Sequence, residues 1–369
     1  MNHLSALKAY LNDHPDFERW KREAHREGRR KCFSVLALWI LSYALYLACA
    51  GNLSGWGLFP VVVSSVAFTL VTTIAMFAVM HDGSHNASGF TKRTNGVWSK
   101  TISICGGSSI LWYHQHCVAH HMHTNTPGRD YDIEGGGLMR LHVEDPLLSH
   151  HKYQHLYAWF LYGFAVFMWV FVSDFADLAK NKHRLPKEVS RRVWREILVF
   201  KPIALGLFWF LPACLMGSFW LGAGFFLAHL ALMGFLLALV FQMAHTSGTK
   251  LMGTQALERE RGWVARQTET TTNFATGNRF LTWALGGLNF QVEHHLFPDW
   301  GHTLYPKIAP SVKAFCEAHR LSYHDFPKFR QAVSGHYGFL KYLGDRSSAP
   351  DVLSPRQKIV TETGVLPRG

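Results

Sequence analysis

Four long stretches of apolar residues without a charged side chain interrupt an otherwise polar sequence. They cover residues 33–50, 61–80, 202–217 and 219–244. A helix needs about 20 apolar residues to cross a bilayer core of about 30 Å, and each stretch approaches or exceeds that length. A buried helix of a soluble protein rarely reaches the length of 219–244. The pattern therefore predicts four transmembrane helices in an all-α, multi-pass membrane protein.

A fifth apolar stretch, residues 157–173, is rich in aromatic side chains and has a different interpretation. The segments 1–32 and 180–201 each contain eight Lys or Arg residues, whereas the links 51–60 and 217–218 contain none. Because basic segments stay on the cytoplasmic side, the four spans should form two hairpins that return to that side. The fifth stretch then becomes an interfacial or re-entrant helix at the headgroup level. A true fifth span is the alternative.

The rest of the chain is divided around these spans. Residues 1–32 form a cytoplasmic segment without features of a cleavable signal peptide, and 33–346 form the membrane domain. Residues 347–369 lack apolar periodicity and should be disordered. The net charge of +12 indicates attraction to anionic headgroups rather than to nucleic acid, and the six cysteines have no paired spacing. We expect an integral protein of a bacterial inner membrane.

Histidines are gathered at the polar ends of the predicted spans, in three clusters and one isolated position. The clusters are His81 and His85, then His116, His120 and His121, then His294 and His295, and the isolated residue is His245. In an α-helix His116 and His120 share a face, whereas His121 points about a quarter-turn away. Imidazole binds iron, zinc, copper and nickel, and eight imidazoles exceed what one metal uses. The sequence predicts a two-metal site in a cytoplasmic, His-rich cap.

Polar side chains beside the clusters are candidates for supporting roles at this site. Gln291 lies four residues before His295 and so shares its helix face, which makes it a candidate ligand. The nearby carboxylates can accept a hydrogen bond from a ligating imidazole and fix its orientation. They are Asp82, Asp130, Asp132 and Glu293.

These motifs resemble those of the membrane fatty acid desaturases, and within them the front-end, delta-6-type group that includes bacterial linoleoyl-CoA desaturases. The resemblance covers roughly residues 33–343. The matching segments are HDGSHN (81–86), HCVAHHMHTN (116–125), TTTNFATGN (270–278) and GGLNFQVEHHLFP (286–298). In that family the clusters bind two irons, which implies that the eight histidines are iron ligands and that O2 is the co-substrate. Gln291 replaces a ninth histidine, and Asn273 is a further candidate ligand or hydrogen-bond partner.

The resemblance also implies the reaction and its partners. A cis double bond would be introduced into an acyl chain carried by CoA, a lipid or acyl carrier protein. Many front-end members carry a fused cytochrome b5 domain with an HPGG motif, which this sequence lacks. The electrons should therefore come from a separate ferredoxin or cytochrome b5 with its reductase. Aromatic residues near the clusters are candidates for an apolar substrate tunnel, with interfacial anchoring as the alternative: Trp112, Tyr113, Trp283 and Phe290.

Other functions remain compatible with the same motifs. Related enzymes with these clusters act as acyl hydroxylases, epoxidases or acetylenases. A membrane metal transporter would require ionisable residues along the spans, where only His229 lies. A membrane zinc hydrolase is less compatible, because the sequence contains no HExxH motif.

Overall fold

The computed structural model describes residues 3–247 and 262–345, and these are mostly helical, as predicted. The tail at 347–369, predicted to be disordered, lies outside the described residues. Strand structure among the described residues is limited to one parallel pair, Asn273–Phe274 with Asp325–Phe326.

Among the described residues, four helices are long and apolar enough to cross a membrane, in line with the four candidate spans that the hydropathy pattern predicted. They are Phe17–Gly51, Leu58–Ser84, Lys187–Met216 and Phe219–His245. The second contains a π-helical turn at Met76–Met80, immediately before His81. Such wide turns are rare and occur frequently at functional sites. The third helix ends at Met216, one residue before the predicted end at residue 217. Gly217 follows it in a left-handed conformation, with φ of 65°.

The fifth apolar stretch is not one straight helix. Helices Ser149–Tyr162 and Ala165–Ala179 are bent by 68° at a break between them, which is compatible with a broken span or a re-entrant loop. Gly234 of the fourth long helix packs directly against the end of the break. A β-carbon at this position would lie 3.0 Å from the Tyr162 carbonyl oxygen and 3.0 Å from the Val166 nitrogen. Length and composition therefore allow four or five spans, and the interfacial helix stays a prediction.

Contacts divide the chain into two units, each assembled from separate segments. The first unit comprises Met1–Glu27, Gln115–Trp159 and Leu239–Gly369, and the second comprises Gly28–His114 and Phe160–Ala238. Six of the eight predicted metal ligands belong to the first unit, and His81 and His85 belong to the second.

The first unit has an apolar core beneath the third histidine cluster. Leu7 and Leu11 of helix His3–Asn12 pack with Ile308 and Val312 of helix Tyr305–Ala318, and all four side chains are fully buried. Val292, beside the third cluster, belongs to the same core. Its other described helices include Phe329–Leu343 and several shorter ones: Tyr113–His120 in part, His121–His123, Tyr131–Ile133, Ser149–Tyr153, Gln154–Tyr162 in part, Trp263–Thr270, Arg279–Ala284, Gln291–Leu296 and His302–Leu304. Apolar burial thus fixes the backbone of the segment that carries His294 and His295.

The second unit contains buried charges whose hydrogen bonds hold short helices against the long ones. The Glu196 carboxylate accepts hydroxyl hydrogen bonds from Ser103, Ser108 and Ser109, at 2.7 Å for the first two. These bonds compensate the cost of burying the charge. The short helices here are Leu53–Trp56, Lys92–Trp98, Thr101–Ile104 and Ser109–Trp112. His229, the ionisable residue inside a span, lies 2.9 Å from the Thr69 hydroxyl.

Candidate metal centre

The second histidine cluster lies on a π-helical segment rather than on an α-helix. Residues Tyr113–His120 form this segment, and His121–His123 continues it. A π-helix closes its hydrogen bonds from i to i+5, so it brings His121 onto the side of His116. The ring centroids of His116 and His121 are 4.8 Å apart, and their Nε2 atoms are 3.3 Å apart. The segment is therefore wider than the α-helix from which the quarter-turn position of His121 was predicted.

The third cluster comes to the second through the short helix Gln291–Leu296. His294 and His295 are fully buried. The Nε2 atoms of His294 and His121 are 3.1 Å apart, and the rings of His295 and His121 are 4.3 Å apart. Residues separated by more than 170 positions in the chain thus share one small volume.

His245 joins this cluster from the end of the fourth long helix. It is the last residue of Phe219–His245 and is buried. Its ring centroid lies 4.6 Å from that of His120 and 4.9 Å from that of His295. The isolated histidine therefore belongs to the same group as five histidines of the two clusters.

Two groups of three imidazoles could each hold a metal ion. In each group one ring nitrogen per residue lies within 4.8 Å of the others. The groups are His120, His245 and His295, and His121, His294 and His295. Within the described residues, the buried Nε2 atoms of His120 and His295 make no hydrogen bond. Buried polar atoms without a partner are costly, and a bound cation would satisfy them. The donor set therefore fits metal ions, and His295 is common to both groups.

The other ring nitrogen, Nδ1, has a hydrogen-bond acceptor in four of these histidines. The pairs are His120 with Asp130, at 3.0 Å; His245 with the Thr270 carbonyl oxygen, at 3.3 Å; His294 with the Tyr305 hydroxyl, at 3.3 Å; and His295 with Gln267 Oε1, at 2.9 Å. Carboxylate, carbonyl and amide oxygens only accept, and the Tyr305 hydroxyl donates its own hydrogen to the Phe297 carbonyl oxygen, so each Nδ1 carries a hydrogen. When the ring is neutral, the lone pair is then on Nε2. This is the arrangement that metal-ligating histidines commonly adopt.

The carboxylate partner gives His120 different electrostatics from the other imidazoles. Burial lowers the pKa of His120, but the charge and hydrogen bond of Asp130 and the charge of Asp132 outweigh it and raise the pKa to about 9. Asp130 is itself fully buried and also accepts from the backbone N–H groups of Asn125 and Asp132. Burial lowers the pKa of His295 well below its usual value, and the neighbouring histidines lower it further. A carboxylate makes an imidazole a stronger donor, so His120 should bind a cation most strongly.

Glu293, Asn273 and Gln291 occupy supporting positions around the third cluster. Asn273 Nδ2 and the Tyr323 hydroxyl each donate to the Glu293 carboxylate, at 2.8 Å, while Asn273 Oδ1 accepts from the Val292 N–H. Burial raises the pKa of Glu293 to about 7, although both hydrogen bonds oppose the rise. Gln291 donates from Nε2 to the Leu288 carbonyl oxygen, and its buried Oε1 accepts no hydrogen bond within the described residues. These contacts fix the helix that carries the ligands, and direct metal binding by Gln291 stays a prediction.

The remaining predicted residues have simpler environments. In the second unit, the buried rings of His81 and His85 are 4.7 Å apart, and His81 Nδ1 lies 3.9 Å from the Asp82 carboxylate. Of the predicted tunnel residues, Trp112 and Phe290 are buried, whereas Tyr113 and Trp283 are about half exposed, at 47% and 39%. The tunnel stays a prediction.

Sequence reasoning missed three residues that hold the imidazoles. They accept from histidines that were predicted to be ligands but lie far from them in sequence: Gln267 is 28 residues from His295, Thr270 is 25 from His245, and Tyr305 is 11 from His294. Thr270 acts through a backbone carbonyl, which no side-chain motif records. Gln267 lies three residues before the start of the matching segment TTTNFATGN, and this proximity is the one signal that could have identified it.

Comparison with known proteins identifies the family of this chain. The fatty acid desaturase family model matches residues 54–327. An sn-1 linoleoyl-lipid 6-desaturase of Synechocystis sp. is 32% identical over 333 residues, which is 85% of this chain and 88% of the relative. A protein of the same name from Arthrospira platensis is 31% identical over 275 residues, 72% of this chain and 73% of the relative. An acyl-lipid (7-3)-desaturase of Rebecca salina is 30% identical over 327 residues, 83% and 68% of the two chains. The chain belongs to the fatty acid desaturase family and is an oxidoreductase.

Proposed function

We propose that this chain is an O2-dependent, di-iron desaturase that introduces a cis double bond into the acyl chain of a lipid. The buried group of six imidazoles in the first unit carries the proposal. The motif match extends the ligand set to His81 and His85. Iron, when bound, would supply with O2 the oxidising power that an unactivated C–H bond requires.

The protein's own residues would bind, orient and dehydrate this centre. The imidazoles provide Nε2 lone pairs, and their Nδ1 acceptors hold each ring in one orientation. Complete burial of His120 and His295 keeps bulk water away from the ligands. Asp130 supplies a negative charge that partly compensates the positive metals.

The proposed substrate is a linoleoyl chain on a membrane lipid, with desaturation at carbon 6. The printed names of the Synechocystis and Arthrospira relatives support this choice, as does Gln291, which is typical of the front-end group. The proposed electron donor is a separate ferredoxin or cytochrome b5 with its reductase. The excess of basic residues would attract such an acidic partner. Purified protein should then form product only when the reduced donor is added.

Expression in a host without desaturases tests the function. When linoleate is supplied, mass spectrometry of the lipids should show a new cis double bond at carbon 6. A hydroxylated, epoxidised or alkynyl acid as the main product would contradict simple desaturation. Active protein with two zincs and no iron would overturn the metal assignment, and metal flux in liposomes without any lipid product would favour a transporter.

We also propose that the histidine cap faces the cytoplasm and that the four long helices form two hairpins. Two exposed positions test this topology, Ser54 in a link without basic residues and Lys180 in a basic segment. In a background with Cys214→Ser, a membrane-impermeant maleimide added to intact cells should label S54C at once. It should label K180C only after permeabilisation, because the label must first cross the membrane. The opposite pattern would invert the topology.

A further inference from the structure

The helix Trp263–Thr270 is polar in sequence and yet almost completely buried. Seven of its eight residues are buried, and five of these seven are polar or charged: Arg266, Gln267, Thr268, Glu269 and Thr270. Burying polar side chains costs free energy unless each finds a partner. Residues of these types are mostly exposed in folded proteins, so their burial here indicates that the side chains have specific partners inside.

Gln267 makes three side-chain contacts, all with residues of the two histidine clusters or beside them. Its Oε1 accepts from His295 Nδ1 at 2.9 Å and from the Thr124 hydroxyl at 3.2 Å. Its Nε2 donates to the His121 carbonyl oxygen at 3.0 Å. The Gln267 side chain has no exposed surface. One amide thus joins the ring of a third-cluster histidine to the backbone of a second-cluster histidine.

The orientation of this amide follows from its partners. A backbone carbonyl only accepts hydrogen bonds, so the nitrogen of Gln267 must face His121 and the oxygen must face His295. An amide oxygen only accepts, so His295 must carry its hydrogen on Nδ1. The Nε2 atom of His295 then has the lone pair that a metal needs. The hydroxyl of Thr124 reinforces this arrangement, because it donates to Gln267 Oε1.

We infer that Gln267 is a positioning residue that fixes the tautomer of His295 and ties the second cluster to the third. This inference rests on the proposed function, since it requires His295 to be a metal ligand. His295 is the imidazole common to both candidate groups, so its tautomer affects both metal positions. Gln267 is neutral, whereas the partner of His120 is a carboxylate. The hydrogen bonds to Gln267 and to Asp130 therefore give His295 and His120 unequal donor strength toward a metal.

Titration of the purified, metal-free protein with Co2+ tests this role without measuring activity. Q267M keeps the size and the burial of the side chain but removes the nearer acceptor for Nδ1–H, at 2.9 Å, and leaves the Thr124 hydroxyl at 3.3 Å. The Kd for Co2+, followed by visible absorbance, should rise about 10-fold to 100-fold, as for other residues that orient metal-ligating imidazoles. The matched control is T268V, because Thr268 is equally buried on the same helix and, within the described residues, donates only to the Ala265 carbonyl oxygen. Its Kd should equal that of the wild type.

A second variant separates positioning from packing. Q267E keeps an acceptor for Nδ1–H and adds charge, but it loses the hydrogen bond to the His121 carbonyl oxygen. Co2+ should still bind, with a shifted visible spectrum because the imidazole becomes a stronger donor. Three results would overturn the inference and leave the proposed function intact: wild-type affinity in Q267M, an unchanged spectrum in Q267E, or the loss of Co2+ binding in Q267E. Wild-type protein that takes up no Co2+ at all would overturn both.

Discussion

Alanine in place of His120 should abolish the unsaturated product and remove metal from the protein while leaving it in the membrane. His120 is completely buried, directs Nδ1 to Asp130, and contributes a ring nitrogen to the group with His245 and His295. Loss of a residue that merely orients a ligand costs about 10-fold to 100-fold, and loss of a ligand should cost more. In the desaturase-free host, product should therefore fall by at least about 100-fold. Iron per purified chain should fall in parallel.

The matched control for this experiment is His150→Ala. His150 belongs to the same unit but is exposed, and its Nε2 lies 2.9 Å from the Gly137 carbonyl oxygen. Its removal should leave product and iron content unchanged. Full product from H120A would show that His120 is not an essential ligand. Product lost equally in H120A and H150A would indicate general sensitivity of the cap instead.

Asparagine in place of Asp130 should lower metal affinity and desaturation by about 10-fold to 100-fold without unfolding the chain. The carboxylate accepts three hydrogen bonds, from His120 Nδ1 and from two backbone N–H groups. An amide has only one oxygen, so its NH2 group would oppose one of these donors and favour the wrong tautomer of His120. The loss of charge would also make the imidazole a weaker donor. Iron content and product yield in the same host measure the effect.

Asp132→Asn removes the charge of a second, more distant carboxylate beside the His120 ring. Its carboxylate is partly exposed and lies 3.4 Å from His120 Nδ1, farther than that of Asp130. Solvent screens its charge more effectively, so D132N should reduce metal affinity less than D130N. Equal losses of metal affinity in D130N and D132N would mean that the net charge near His120 determines the affinity and that the short contact of Asp130 does not.

Much of the architecture could be predicted because it depends on local patterns. Uncharged apolar stretches of membrane length identified the four long helices, since lipid imposes the same length on every span. The spacing of the histidines identified candidate ligands, since helices bring residues four apart onto one face. The bend of 68° in the fifth apolar stretch was not foreseeable. The close approach of Gly234 to the break is a contact between distant segments, which no local pattern records.

The sequence by itself determined which residues can bind metal and where the chain can enter a membrane. Both properties belong to side-chain chemistry and to short-range periodicity. Only the tertiary structure decided which imidazoles meet, because residues of three separate segments supply His120, His245 and His295. It also decided how each imidazole is oriented. Gln267 and Tyr305 are ordinary polar residues in sequence, and burial next to a histidine makes their hydrogen bonds to the imidazoles decisive.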